Sequence, residues 1–135
     1  MVRYYHLELL ACPECRNPFL LVYSLKELES NASISEEHAS KLKCRRWCYL
    51  YNLPASRVPL SSCIKTCMNR EIEEGVIVCT YCGRWYPIVK TIPVMMDDKY
   101  RDEERDREFA ERVRGKLPSW IKQHMRLPLP LHEDK

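Results

Sequence analysis

Cys12-Pro-Glu-Cys15 near the start of the chain and Cys79-Thr-Tyr-Cys82 well past its middle constrain the fold more than any other feature. Each C-x-x-C pair puts two thiols on one tight turn. Two such knuckles supply four sulfurs, the closed tetrahedral set of a structural zinc site. Gly83 follows the second pair, where the knuckle backbone needs a positive φ that glycine adopts freely. A single C-x-x-C is equally a redox dithiol or a local disulfide, but two copies flanking the intervening chain favour a metal. One structural Zn(2+) per chain is therefore expected on Cys12, Cys15, Cys79 and Cys82. Four protein ligands leave no open position for water, so this zinc has no chemical role. His6 is not needed as a ligand and reads as an ordinary, partly buried or surface histidine.

With 135 residues the chain is one domain, or a domain with a subdomain. A chain of this size buries a modest share of its surface, which makes a metal staple useful. A net charge of +3 is too small to name nucleic acid as the main partner. The opening Met1-Val-Arg-Tyr-Tyr-His6 is polar and does not read as a secretion signal, and no apolar run approaches membrane-spanning length. A cytoplasmic location is expected. Eight cysteines sit awkwardly with it, but Gln123 is the sole glutamine while Arg, Lys and Glu abound. That composition suits a thermophile, and hyperthermophiles tolerate intracellular disulfides.

The expected fold class is α+β. A small zinc-ribbon β domain comprises residues 1–29 and 75–96, an antiparallel helical hairpin is inserted over residues 30–74, and a charged helix and tail occupy residues 97–135. Residues 4–11 read as a strand or short turn, and Phe19-Leu-Leu-Val-Tyr23 as the second strand of the ribbon. Ser33-Ile-Ser-Glu36 has the form of a capping box, predicting a helix over residues 34–51. A second helix is predicted over residues 60–74, with Gly75 as its C-terminal cap. Trp47, Leu50, Leu53, Val58 and Leu60 would supply the hairpin's apolar contact. Cys44/Cys48 and Cys63/Cys67 are each spaced i, i+4, so both pairs face the seam. Antiparallel pairing makes Cys44–Cys67 and Cys48–Cys63 candidate disulfides. A second zinc site and free core thiols are the alternatives.

Val76-Ile-Val78 enters the second knuckle, and Trp85-Tyr86-Pro87-Ile88-Val89 leaves it. Pro87 and Pro93 confine these segments to a sheet edge. Trp85, Ile88, Ile92, Val94, Met95 and Met96 exceed what one side of a small ribbon can bury. Either the insertion covers them or another protein does. In the charged segment after Asp97, Phe109, Val113 and Leu117 form one narrow apolar stripe, the mark of a solvated helix with a single seam. Pro118 ends it, and the remaining tail is either a docking arm or loose.

Taken together, Cys12-Pro-Glu-Cys15 and Gly75-Val-Ile-Val-Cys79-Thr-Tyr-Cys82-Gly-Arg-Trp-Tyr86-Pro-Ile-Val-Lys-Thr-Ile92-Pro93-Val-Met95-Met96 closely resemble the zinc-ribbon activator family of methyltransferases, the multifunctional methyltransferase subunits. The diagnostic part is C-x-x-C-G-x-x-Y-P-I followed by I-P-x-M-(L/M). The resemblance implies a non-catalytic subunit that forms a heterodimer with Rossmann-type S-adenosylmethionine-dependent methyltransferases acting on tRNA, ribosomal RNA or translation release factors. It further implies docking by edge-strand addition around residues 88–93. The partner-binding set is then Trp85, Tyr86, Ile88, Val89, Ile92, Pro93, Val94, Met95 and Met96. RNA would be met only through the partner. Three features depart from the family pattern: the insertion with its cysteine quartet, Lys90-Thr91 in place of the usual Asn-Gly turn, and the charged helix and tail after Met96, which extend beyond the motif.

Other function classes have less behind them. A stand-alone zinc-ribbon nucleic-acid-binding protein would use Arg16, Lys41, Lys43, Arg45, Arg46, Arg57, Lys65 and Arg84, but cations at this density usually form solvated surface. A thiol oxidoreductase would use Cys12/Cys15 or Cys79/Cys82 as reactive thiolates. No paired carboxylates, glycine-rich phosphate loop or credible Cys-His pair supports an enzyme, and no catalytic or cofactor-binding residue is expected.

Overall fold

The computed structural model describes residues 3–18, 20–29 and 35–130. Its centre is a four-stranded antiparallel sheet of order β1-β4-β5-β6, formed by β1 (Leu20–Glu29), β4 (Arg70–Cys79), β5 (Trp85–Val89) and β6 (Ile92–Pro93). Between β1 and β4 lie α1 (Glu36–Leu42), a small ladder of β2 (Trp47–Cys48) and β3 (Leu53–Pro54), and α2 (Leu60–Lys65). After β6 come α3 (Glu103–Val113) and α4 (Ser119–Lys122). Phe19, Ser30, Ser33 and Ile34 lie outside the described residues.

The sheet is covered on both faces. On one, Leu20, Ile72, Ile77, Tyr86 and Ile88 pack with Tyr4 and Leu7 of an N-terminal 3₁₀ turn (Tyr4–Leu9). On the other, Val76, Val78 and Trp85 pack with Phe109, Val113, Leu117, Ile121 and Met125. Double coverage explains why Val76-Ile-Val78 is an unbroken apolar run, because a strand alternates in polarity only when one of its faces meets water. Register shifts in β1 between Ser24 and Glu27 move the pairing from Ser24↔Gly75 to Glu27↔Ile72. The resulting bulge lets Ile72 and Ile77, five residues apart, share a face.

The charged segment is anchored. Asp102 caps α3 by accepting from the Glu104 and Arg105 amides at 3.1 and 3.2 Å. The apolar stripe expected at Phe109, Val113 and Leu117 is buried. Asp106 of α3 accepts from Arg101 Nε at 2.9 Å, both side chains being only 6% exposed. Arg101 Nη2 also donates to the Trp85 carbonyl at 2.7 Å, and its guanidinium lies 4.8 Å from the Tyr86 ring centre. The tail docks on its own sheet: the Trp85 amide donates to the Leu127 carbonyl, and the Trp85 indole N–H to that of Leu129, each at 2.9 Å.

The insertion departs from the expected hairpin of long helices. α1 begins at Glu36, with Ser35 as its cap accepting from the His38 amide at 3.2 Å, and ends at Leu42. α2 ends at Lys65, and residues 70–79 are strand instead of helix. Gly75 is therefore not a helix cap. It sits inside β4, where a Cβ would meet the Tyr23 carbonyl oxygen at 2.5 Å. Its lack of a side chain serves close backbone approach beside the bulge. Val58 is buried and Leu50 and Leu60 pack against the insertion's core, but Trp47 and Leu53 are each 39% exposed. Of the two readings of residues 4–11, strand or short turn, the turn holds: Tyr4–Leu9 is a 3₁₀ turn.

Candidate metal centre and sheet edge

Both knuckles are built the same way. The Arg16 amide donates to the Cys12 carbonyl at 2.8 Å, and the Gly83 amide to that of Cys79 at 2.9 Å. Each turn needs a left-handed residue after its second cysteine. Gly83 supplies φ 80° in one and Arg16 φ 67° in the other, so the first knuckle forms without glycine. The Cys12 amide donates to the Asn17 carbonyl at 3.0 Å and the Cys79 amide to that of Arg84 at 2.8 Å, completing each loop.

The four expected sulfurs converge. Cys12, Cys15, Cys79 and Cys82 place their Sγ atoms within 4.8 Å of one another. Cys12 and Cys82 are 3.7 Å apart, and Cys15 and Cys79 are 3.4 Å apart. A tetrahedral thiolate site with metal–sulfur bonds near ~2.3 Å has sulfur–sulfur edges near ~3.8 Å, so the quartet fits a metal ion. Surrounding groups orient the sulfurs. Tyr86 Oη lies 3.1 Å from Cys12 Sγ, and Asn17 Nδ2 donates to Cys79 Sγ at 3.8 Å. Burial pushes the Cys79 thiol up to about 12. Burial opposes ionisation at Cys82 too, but hydrogen bonds from the Arg84 backbone and side chain hold it down to about 7. Arg84 is fixed by a two-pronged pair with Asp98, with contacts of 2.7 and 3.0 Å. Sequence reasoning had no orienting role for Asn17, Tyr86 or Arg84. Only the fold places them against sulfur, and Arg84, named above for a basic face, is occupied here.

The candidate docking residues divide into two groups. Trp85, Tyr86 and Ile88 are fully buried and cannot touch a partner. Trp85 stacks on Phe109 at 5.9 Å, while Tyr86 and Ile88 belong to the opposite core. Their burial is the chain's own work, and the stripe on α3 is the sequence signal that a sheet face would be claimed from within. At the edge, Ile92 is 58% and Met96 40% exposed, while Val89, Pro93, Val94 and Met95 are half-buried. β6 pairs through Ile88↔Pro93 and Val89↔Ile92, and among the described residues its outer side is unpaired. Lys90 (φ 50°) and Thr91 (φ 67°) form the connecting two-residue turn, the signature of a type I′ hairpin usually built from Asn-Gly.

The insertion's quartet, Cys44, Cys48, Cys63 and Cys67, is buried, and all four thiols are free; the bridges Cys44–Cys67 and Cys48–Cys63 are not formed. Among the described residues no helix is long and apolar enough to cross a membrane.

A family model described as Trm112p-like protein matches residues 3–90, leaving β6, α3 and the tail outside it. No curated protein matches the sequence. Among solved structures, the fold is similar to a chain in the structure of the E. cuniculi Mtq2–Trm112 complex, described as responsible for methylation of the eRF1 translation termination factor. The two share 17% identity with a TM-score of 0.45, over 71% of this chain and 96% of that one.

Proposed function

The chain belongs to the Trm112p-like family, whose members are non-catalytic activators of methyltransferases, and from that premise we propose that it docks an S-adenosylmethionine-dependent methyltransferase along the outer edge of β6. One observation carries the choice of surface. The stretch Ile92-Pro-Val-Met-Met96 at this edge bears no charge, whereas the opposite edge strand β1 presents Lys26, Glu27 and Glu29. Charged edges discourage strand pairing, and a bare apolar edge invites it. Main-chain hydrogen bonds from a partner strand would extend the sheet, with Ile92 and Met96 entering apolar pockets.

The metal is zinc in this reading, since four thiolates in a closed tetrahedron suit it best. It pins the knuckles and, through Tyr86 and Arg84, the strand that leads to the edge. Activation is mass action: a partner whose apolar surface is covered only in the complex is stabilised and kept soluble by it. The substrate is tRNA, ribosomal RNA or a release factor according to the partner, and a role in translation would place the heterodimer in the cytoplasm. In this reading the zinc-ribbon domain comprises residues 1–29 and 70–96, its second part starting at 70 and not at 75 because β4 pairs with β1 back to Glu29↔Arg70.

Affinity purification of the full chain from its native source, with mass spectrometry of what co-purifies, tests this. A Rossmann-type methyltransferase in one-to-one ratio is expected. Recovery of bare RNA with no methyltransferase, released steeply by salt, would overturn it in favour of a nucleic-acid-binding ribbon.

A further inference from the structure

A second set of four thiols stands outside the knuckles. Cys44 follows α1, Cys48 lies in β2, Cys63 in α2, and Cys67 opens the 3₁₀ turn (Cys67–Asn69) before β4. All four are buried, and all four line one cavity of about 10 Å³ together with Val58 and Met68. Cys67 is also within electrostatic reach of each of the other three. A space of this size holds at most one water-sized body. Water there would need two to four good hydrogen-bond partners, and thiols are weak ones. Four sulfurs around one small space are instead the donor set of a soft cation.

The chain supplies charge balance as well. Lys43 lines the same cavity, and its ammonium group donates to the Val58 carbonyl at 3.3 Å, leaving it beside the sulfurs. Four thiolates around a divalent ion carry a net charge of two minus, half of which a neighbouring ammonium offsets. The thiols arrive as two C-x-x-x-C segments from opposite sides of the insertion, so a shared ion would join α1 and β2 to α2 and the turn after it. Among the described residues only the knuckle quartet has its ligand atoms within 4.8 Å of one another, so this second set is wider. Rotation of a cysteine between staggered χ1 wells moves its sulfur by roughly 3 Å, enough to close it.

We propose that Cys44, Cys48, Cys63 and Cys67 form a second thiolate site for a zinc-class divalent cation, separate from the knuckle site. Four S–H bonds break, four metal–sulfur bonds form, and four protons leave to solvent. The site would cross-link an insertion whose helices are too short to hold themselves together.

The test is elemental analysis of the full chain together with its denatured intact mass before and after alkylation. About two zinc ions per chain are expected, falling to one in the double variant Cys63→Ser/Cys67→Ser, with the knuckle zinc retained. One zinc per chain with a mass short by four hydrogens would overturn the proposal in favour of two disulfides. One zinc with four readily alkylated thiols would overturn it in favour of a free-thiol core. Should the double variant not fold, the cobalt-loaded wild-type chain decides. Thiolate-to-cobalt absorption equivalent to eight sulfurs supports the site, and absorption equivalent to four refutes it.

Discussion

Replacing Ile92 with Asp separates docking from folding. The side chain is 58% exposed in the free chain, so the substitution should change the chain's own stability by no more than about 0.5 kcal/mol. Full burial of an isoleucine is worth roughly 1.5–3 kcal/mol, so the part still exposed contributes about 1–1.7 kcal/mol when a partner covers it. Placing a carboxylate there adds a desolvation cost of about 2 kcal/mol or more. The sum, about 3–4 kcal/mol, weakens association by roughly 10²–10³-fold. The assay is calorimetric titration of the purified chain into the methyltransferase that co-purifies with it, with thermal unfolding and metal content measured in parallel. Leu28→Asp is the control, because Leu28 is 41% exposed on β1 at the opposite edge. Association by Ile92→Asp within about threefold of wild type would refute the reasoning, and loss of binding by Leu28→Asp instead would move the docking edge to β1.

Four further outcomes follow from the structure. Asp106→Ala leaves Arg101 buried and without its carboxylate, and should lower stability by about 3 kcal/mol, the low end for a broken buried pair because the Trp85 carbonyl still accepts from Arg101; denaturant unfolding checks it. Gly75→Ala drives a methyl group to within 2.5 Å of the Tyr23 carbonyl oxygen and should cost about 1–3 kcal/mol on the same assay. Lys90→Asn with Thr91→Gly should stabilise by about 1 kcal/mol, since both positions have positive φ and a β-branched residue resists it. His6, held below its ordinary 6.5 chiefly by burial and further by Arg3, contributes stability above pH 6.5 that is lost as pH falls, because the unfolded chain takes the proton first. His6→Asn can still accept from the Arg3 amide at the place of Nδ1 and should flatten the stability profile between about pH 7 and 5.

Where a property depends on a few adjacent residues, it was legible in the primary structure. The convergent thiols of Cys12, Cys15, Cys79 and Cys82, the left-handed Gly83, and the buried stripe of Phe109, Val113 and Leu117 are such cases, as each follows from turn geometry or helical period. The family motif likewise lies in two short stretches. Tertiary structure alone decided which apolar residues stayed exposed. Trp85, Tyr86 and Ile88 read as edge candidates until α3 and the 3₁₀ turn at residues 4–9 covered the two faces of the sheet. The same holds for residues 70–75, whose helical pattern gave way to pairing with β1 across a bulge, and for Gly75, which is set by an approaching carbonyl. The physical reason is common to all of these: spacing along the chain dictates what a turn or a period can do, while burial is settled by segments that meet only once the chain has folded.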